Sequence, residues 1–122
     1  MEVTNAVAAL SALAQESRLE IFRLLVQAGP QGMAAGQVAE QLGLAPNTLT
    51  FHFDRLRFAG LVTVRRDGRS MIYAARYEAM NGLVSFLTEN CCQGAREECA
   101  PTAVCKPKGV PHEAVSRARR RG

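Results

Sequence analysis

Ala35-Gly36-Gln37-Val38-Ala39-Glu40-Gln41-Leu42-Gly43-Leu44-Ala45-Pro46-Asn47-Thr48-Leu49-Thr50-Phe51-His52-Phe53-Asp54-Arg55-Leu56-Arg57-Phe58-Ala59, residues 35–59, is the stretch on which the fold turns. It reads as two helices at a tight corner. The first, 35–42, is ended by Gly43. The second, 46–59, carries Pro46 at its first position, where a missing N–H costs nothing, and is ended by Gly60. Ala39, then Gly43, then Leu49 have the spacing of a helix-turn-helix. The small residue lets the helices approach, glycine tolerates the positive φ of the turn, and the apolar residue locks the corner. Many helix corners share that pattern, so the next segment matters.

Residues 61–74 change period. Val62 and Val64 alternate with Thr63 and Arg65, and Asp67-Gly68 reads as a two-residue hairpin turn. That turn pairs Val62 with Tyr73 and Val64 with Met71 on one core-facing side, with Arg66 and Arg69 flanking the tip. A hairpin with a basic tip after such a corner is a winged helix-turn-helix. Upstream, 4–14 is a helix with a Val3, Val7, Leu10 and Ala14 stripe. Residues 16–28 form a second, whose wide face (Leu19, Ile21, Phe22, Leu24, Leu25) predicts the core centre; Gly29-Pro30 stops it. Downstream, 77–90 is helical, and Cys91 continues its Met80, Leu83, Val84 and Leu87 stripe. The predicted fold is mainly α with a small β-hairpin, in the order α-α-α-α-β-β-α. Residues 1–92 form the domain and 93–122 a flexible tail with a basic end.

The 122 residues suit one small domain plus a tail. No apolar run approaches the ~18–20 residues that span a bilayer. The N-terminus has no basic region or cleavage pattern. The expectation is a cytoplasmic protein without a membrane partner. The net charge of +4 is unevenly distributed. Residues 1–92 hold eight basic and eight acidic side chains, and 93–122 hold seven and three. Within the neutral part, 54–76 carry six arginines against two aspartates. A local basic patch on a neutral body fits a polyanion-binding face.

At 100° per residue, Leu49, Phe53 and Leu56 point inward from the second helix of the corner. Asn47, Thr50, Phe51, Asp54 and Phe58 point outward, with Thr48 and Arg55 on the flank. On an arbitrary helix these polar residues would be a solvated face. Here two phenylalanines share the exposed side, suited to thymine methyls, and hydroxyls can reach base edges or phosphates. The candidate DNA contacts are Asn47, Thr48, Thr50, Phe51, His52 and Arg55, with Arg66 and Arg69 on phosphates or in a minor groove. His52, at the edge of the inward face, suits a core histidine as well as a phosphate contact. A protein-interaction winged helix is the rival reading, and the arginine-tipped wing speaks against it. Two histidines, with no phosphate loop and no nucleophile–base pair, speak against an enzyme.

Cys91, Cys92, Cys99 and Cys105 fall within fifteen residues. Without a secretory signal, such a cluster reads first as a metal or redox site. Soft thiolates select thiophilic ions. Trivalent arsenic or antimony is satisfied by three, whereas structural zinc uses four ligands and Cys-x2–4-Cys spacing. On an unbroken helix Cys91 and Cys92 would point about 100° apart. They converge only if the helix ends there, and Asn90 and Gly94 are helix-ending residues. Interface packing of Cys91, inert tail thiols, a Cys99–Cys105 disulfide, another soft ion (Cd, Pb, Zn) and thiol-redox or persulfide sensing stay open as alternatives.

The chain resembles the arsenical-resistance repressor family (ArsR/SmtB) over about residues 8–92. The resemblance rests on Leu13-Ala14 through Leu24-Leu25, on Gln37–Leu44, and on Asn47–Val62. It implies a homodimeric winged-helix repressor of operator double-stranded DNA. In that reading the terminal helices, 4–14 and 77–90, form the dimer interface, and an inducer releases the DNA. Three features depart from the family pattern. Ala45 replaces a frequent Ser cap, at a cost of up to ~1 kcal/mol. The Cys-x-Cys arsenic pair has no counterpart in Ala34–Ala39, and the zinc-binding set of the last helix is missing from 77–90. By elimination the resemblance assigns sensing to the C-terminal cysteines. Cys91-Cys92 plus Cys99 is similar to arsenic sensors that use a vicinal pair and one downstream thiol, with Cys105 a fourth candidate. No permanent cofactor is implied; the As(III) or Sb(III) ion is the inducer.

Overall fold

The computed structural model describes residues 1–94. Five helices occur in chain order: α1 (Val3–Leu13), α2 (Glu16–Ala28), α3 (Ala35–Leu42), α4 (Pro46–Phe58) and α5 (Tyr77–Leu87). Three strands, β1 (Met33–Ala34), β2 (Val62–Asp67) and β3 (Ser70–Ala75), form an antiparallel sheet in the order β1-β3-β2. The fold is thus mostly helical with a small three-stranded sheet, a winged helix-turn-helix. Among the described residues, Met1–Glu89 form one compact unit, and 90–94 lie outside it. Among the described residues, no helix is long and apolar enough to cross a membrane.

The corner forms as its residues dictate. Gly43 takes the left-handed conformation (φ +67°) and the Leu44 N–H closes on the Ala39 carbonyl at 3.0 Å. Ala45, at the N-cap of α4, makes no side-chain cap, so that helix start depends on Pro46 and on packing. Val38, Leu49, Phe53 and Leu56 are buried with Ile21, Phe22 and Leu25 of α2 and with Leu61 and Val62. The Phe53 ring stacks on Tyr73, centroids 3.6 Å apart and planes 3° apart, which seats α4 on the sheet. The Tyr77 hydroxyl donates to the Val26 carbonyl at 2.9 Å and ties α5 to α2.

Four sequence expectations are corrected. The hairpin turn is Gly68-Arg69, because Asp67 pairs with Ser70. Gly68 supplies the positive φ (+66°) at the first turn position. Val62 therefore faces Ala75, and Val64 faces Tyr73. The change is two residues, so every side chain keeps its face; what differs is that Met71 lies opposite Arg66, out towards the exposed tip. Second, the sheet has a third strand, β1, pairing Met33 with Tyr73 and Ala34 with Ile72. Gly32 (φ +79°) makes this approach possible, since a Cβ there would collide with the Tyr73 carbonyl. Third, Leu19 of α2, expected at the core centre, is 44% exposed; α1 buries Ala6, Ala9 and Ala12 and turns its Val3 and Val7 stripe outward, 64% and 55% exposed. Alanines let the helix backbone sit close to its neighbours, and the bulky residues face out. Fourth, α5 stops at Leu87, so Cys91 does not extend its stripe.

Candidate nucleic-acid interface

Burial of Leu49, Phe53 and Leu56 leaves the opposite side of α4 open. Asn47, Thr48, Thr50, Phe51 and Arg55 are all exposed, as are Arg66 and Arg69 on the wing. The Thr50 hydroxyl donates to the Pro46 carbonyl one turn back at 3.0 Å, so its lone pairs are what it offers outward. Phe51 is 52% exposed and Phe58 80%. Each carries a guanidinium beside its ring: Arg55 lies 5.3 Å from the Phe51 centroid and Arg57 5.7 Å from that of Phe58. These contacts extend two apolar plates beside two cations along the outer edge of the helix. Asp54 is held by Arg57 at 3.6 Å within the same helix, which offsets its repulsion of a polyanion.

His52 departs from its expected place among the DNA contacts. It is 6% exposed, and its Nδ1 lies 3.4 Å from a terminal nitrogen of Arg18 on α2. Burial, and then the Arg18 charge, push its pKa below the ordinary histidine value. The ring is a neutral part of the core, not an exposed cation.

The wing is braced from both ends. Arg65 donates to the Gln31 carbonyl at 3.1 Å, Arg66 Nε donates to the Gly68 carbonyl at 3.3 Å, and Arg76 reaches the Gly60 carbonyl (3.2 Å) and Glu78 (3.0 Å). Sequence reading missed the Arg65–Gln31 and Arg18–His52 contacts because the partners in each pair are 34 residues apart; for the first, the available signal was Gly29, Pro30 and Gly32, which mark a chain bend before β1.

At the C-terminal cysteines the chain breaks from helix. Asn90 and Cys92 both take left-handed φ values, +58° and +53°, and Cys91–Gly94 form a single 3-10 turn. The Cys91 and Cys92 sulfurs come to 3.7 Å. Cys92 is an exposed free thiol, and Cys91 is disulfide-bonded. Cys99, Cys105 and the basic tail lie outside the described residues. Among the described residues, no three His, Cys, Asp or Glu side chains cluster to hold a metal ion.

Residues 13–65 match the family described as "Helix-turn-helix domain". The chain is 31% identical over 88 residues to the HTH-type transcriptional regulator YgaV of Escherichia coli, covering 72% of this chain and 87% of that one. An ArsR-like transcriptional regulator from Rhodococcus superposes with a TM-score of 0.64 at 25% identity, over 80% of this chain and 89% of that one. A homodimeric winged helix-turn-helix DNA-binding domain from Mycobacterium bovis superposes at 0.59 and 26%, over 72% and 82% of the two chains. These relatives are regulators, not enzymes. With the tight corner at Gly43, the braced wing and an open reading helix, the chain belongs to the ArsR family of winged helix-turn-helix transcriptional regulators.

Proposed function

We propose that this regulator is a homodimeric repressor that binds operator DNA through α4 and the wing. It is released when trivalent arsenic or antimony binds Cys91, Cys92 and Cys99, with Cys105 a fourth candidate ligand. The observation that carries the inducer reading is the 3.7 Å approach of the Cys91 and Cys92 sulfurs. Neighbouring side chains on a helix cannot converge, and the left-handed residues Asn90 and Cys92 remove the helix at that point. Support for DNA binding comes from the open hydroxyl and phenylalanine face of α4 beside Arg55, Arg66 and Arg69. Support for the dimer comes from Val3, Val7 and Leu10 on α1 and Val84 and Leu87 on α5, all exposed apolar residues.

Three thiols and arsenous acid condense to an arsenic–trithiolate with loss of three waters. The disulfide at Cys91 must first be reduced, its two electrons and two protons coming from two equivalents of a cellular thiol, which leave as their own disulfide. Arsenic lifts repression only if it binds the DNA-incompetent form more tightly. A coupling of about 2–3 kcal/mol lowers operator affinity roughly 30- to 150-fold, and operator weakens arsenite binding by the same factor. The test is arsenite-driven release of labelled operator from reduced protein. Ser at Cys91, Cys92 or Cys99 should give a repressor that binds but is not released, while Cys105→Ser responds nearly normally. If all four variants respond, the cysteine site is refuted.

The disulfide at Cys91 favours a second reading, a thiol-redox response at the same cysteines. It predicts that an oxidant without arsenite shifts operator affinity and that a dithiol reductant reverses the shift. Arsenite release under strictly reducing conditions separates the two.

A further inference from the structure

Arg18 stands at a junction of three helices. Its backbone is fixed first: at the third position of α2, its N–H donates to the Gln15 side-chain oxygen at 3.0 Å, which caps the helix. Two residues, Ala14 and Gln15, separate α1 from α2, so this side chain starts beside the end of α1. Its Nε donates to the Ala12 carbonyl at 2.6 Å. Ala12 lies in the last turn of α1, where carbonyls lack a helical partner and the helix end is negative; α1 has no basic residue of its own there. One terminal nitrogen of the same guanidinium faces Nδ1 of His52 on α4 at 3.4 Å. Arginine has no acceptor, so Nδ1 is the lone-pair nitrogen and the histidine proton sits on Nε2.

The remaining inward residues of α4, Leu49, Phe53 and Leu56, are apolar. Apolar packing and the Phe53–Tyr73 stack decide which side of α4 turns inward, and a hydrogen bond on that side adds a contact of fixed direction. The rotation of α4 decides where Thr50, Phe51 and Arg55 point. His52 offers a directional contact on the inward side, and the planar fork of Arg18 joins it to the backbone of α1. The far face of α1 carries exposed Val3, Val7 and Leu10.

We propose that Arg18 is a positioning residue for DNA recognition: by holding the Ala12 carbonyl and His52 Nδ1 together, it sets the orientation of the reading helix against α1. This rests on the reading of α4 as the DNA-contacting helix. Arg18 itself does not touch DNA. A shift of the last turn of α1 is then transmitted to α4 through one side chain.

The experiment compares Arg18→Met and Arg18→Lys with wild type on two duplexes. One is selected from a random library by the wild-type protein; the other is of scrambled sequence. A hydrogen bond to a charged group contributes about tenfold or more in an equilibrium constant. Arg18→Met should therefore lose about tenfold or more on the selected duplex. It should bind scrambled DNA as before, with an unchanged salt slope. Lysine, a point charge without a fork, should recover part of the loss at most. His52→Leu removes the acceptor instead and should cost a similar factor; combined with Arg18→Met it should add little, which a merely structural role in two separate places would not produce. If Arg18→Met does not fold, His52→Leu decides alone. Unchanged discrimination in a folded variant overturns the proposal. So does an equal loss on both duplexes with a salt slope reduced by about one, which would make Arg18 a phosphate contact. If wild type selects no duplex at all, the reading of α4 itself fails, and the proposal with it.

Discussion

His52 lies beneath the reading face, next to an arginine, and neither its burial nor its neighbour welcomes a proton. Its pKa is lowered in the folded chain and ordinary, about 6.5, in the unfolded one. As pH falls below that value, the unfolded chain takes up a proton that the folded chain refuses. The contribution is thus complete above about pH 7 and is lost on acidification towards the lowered folded value. We expect the urea midpoint of wild type to fall more between pH 7.5 and 5.5 than that of His52→Gln, whose amide does not titrate. Equal falls would mean that His52 is solvated and free to protonate. Helical arithmetic placed Leu49, Phe53 and Leu56 inward, and all three are buried. The same arithmetic left His52 on an edge. What settles that position is Arg18, which no local pattern connects to it.

Among the elements, the wing and α1 show how far local rules reach. Alternation of Val62 and Val64 and the nearby glycine were enough for a hairpin. The turn slid by one residue on each arm because Gly68 serves as its first central residue and Asp67 as the last paired one. An even change in register leaves the buried face intact, so the apolar pattern could not detect it. At the tip, Arg66 and Arg69 are exposed, and on the proposed interface they meet phosphates. Replacing both by Ala should weaken operator and random DNA alike and lower the salt slope by about one per arginine in each protomer. A loss confined to the operator would instead assign them to base reading. On α1, a helix was legible but its buried side was not. Ala6, Ala9 and Ala12 form the packed face because small side chains permit a close helix approach, and a hydrophobicity scale ranks them below Val and Leu.

For the molecule as a whole, the outward stripe of α1 and the exposed Val84 and Leu87 of α5 are the surfaces that the proposed homodimer would bury. Val7→Lys together with Leu10→Lys should raise the dimer dissociation constant by about tenfold or more, because buried lysines need partners and truncated apolar anchors cost upwards of 1 kcal/mol each. Both positions are exposed within one chain, so its helical content should persist; sedimentation equilibrium reads the association. An unchanged constant would place the interface elsewhere. The sequence by itself determined the order of the five helices and the hairpin, the tight corner at Gly43, the arginines at the hairpin tip and the open side of α4, since each follows from periodicity or from the φ preferences of single residues. It also marked the cysteine cluster and a helix end before it. Only the tertiary structure decided the third strand, which exists because Gly32 lets the chain reach Tyr73, and the bracing of the wing by Gln31. It likewise decided which side of α1 packs, and it turned His52 from a surface candidate into a core residue held by Arg18. Those outcomes depend on contacts between residues far apart in the chain, whose energies are settled by shape and desolvation where the elements meet.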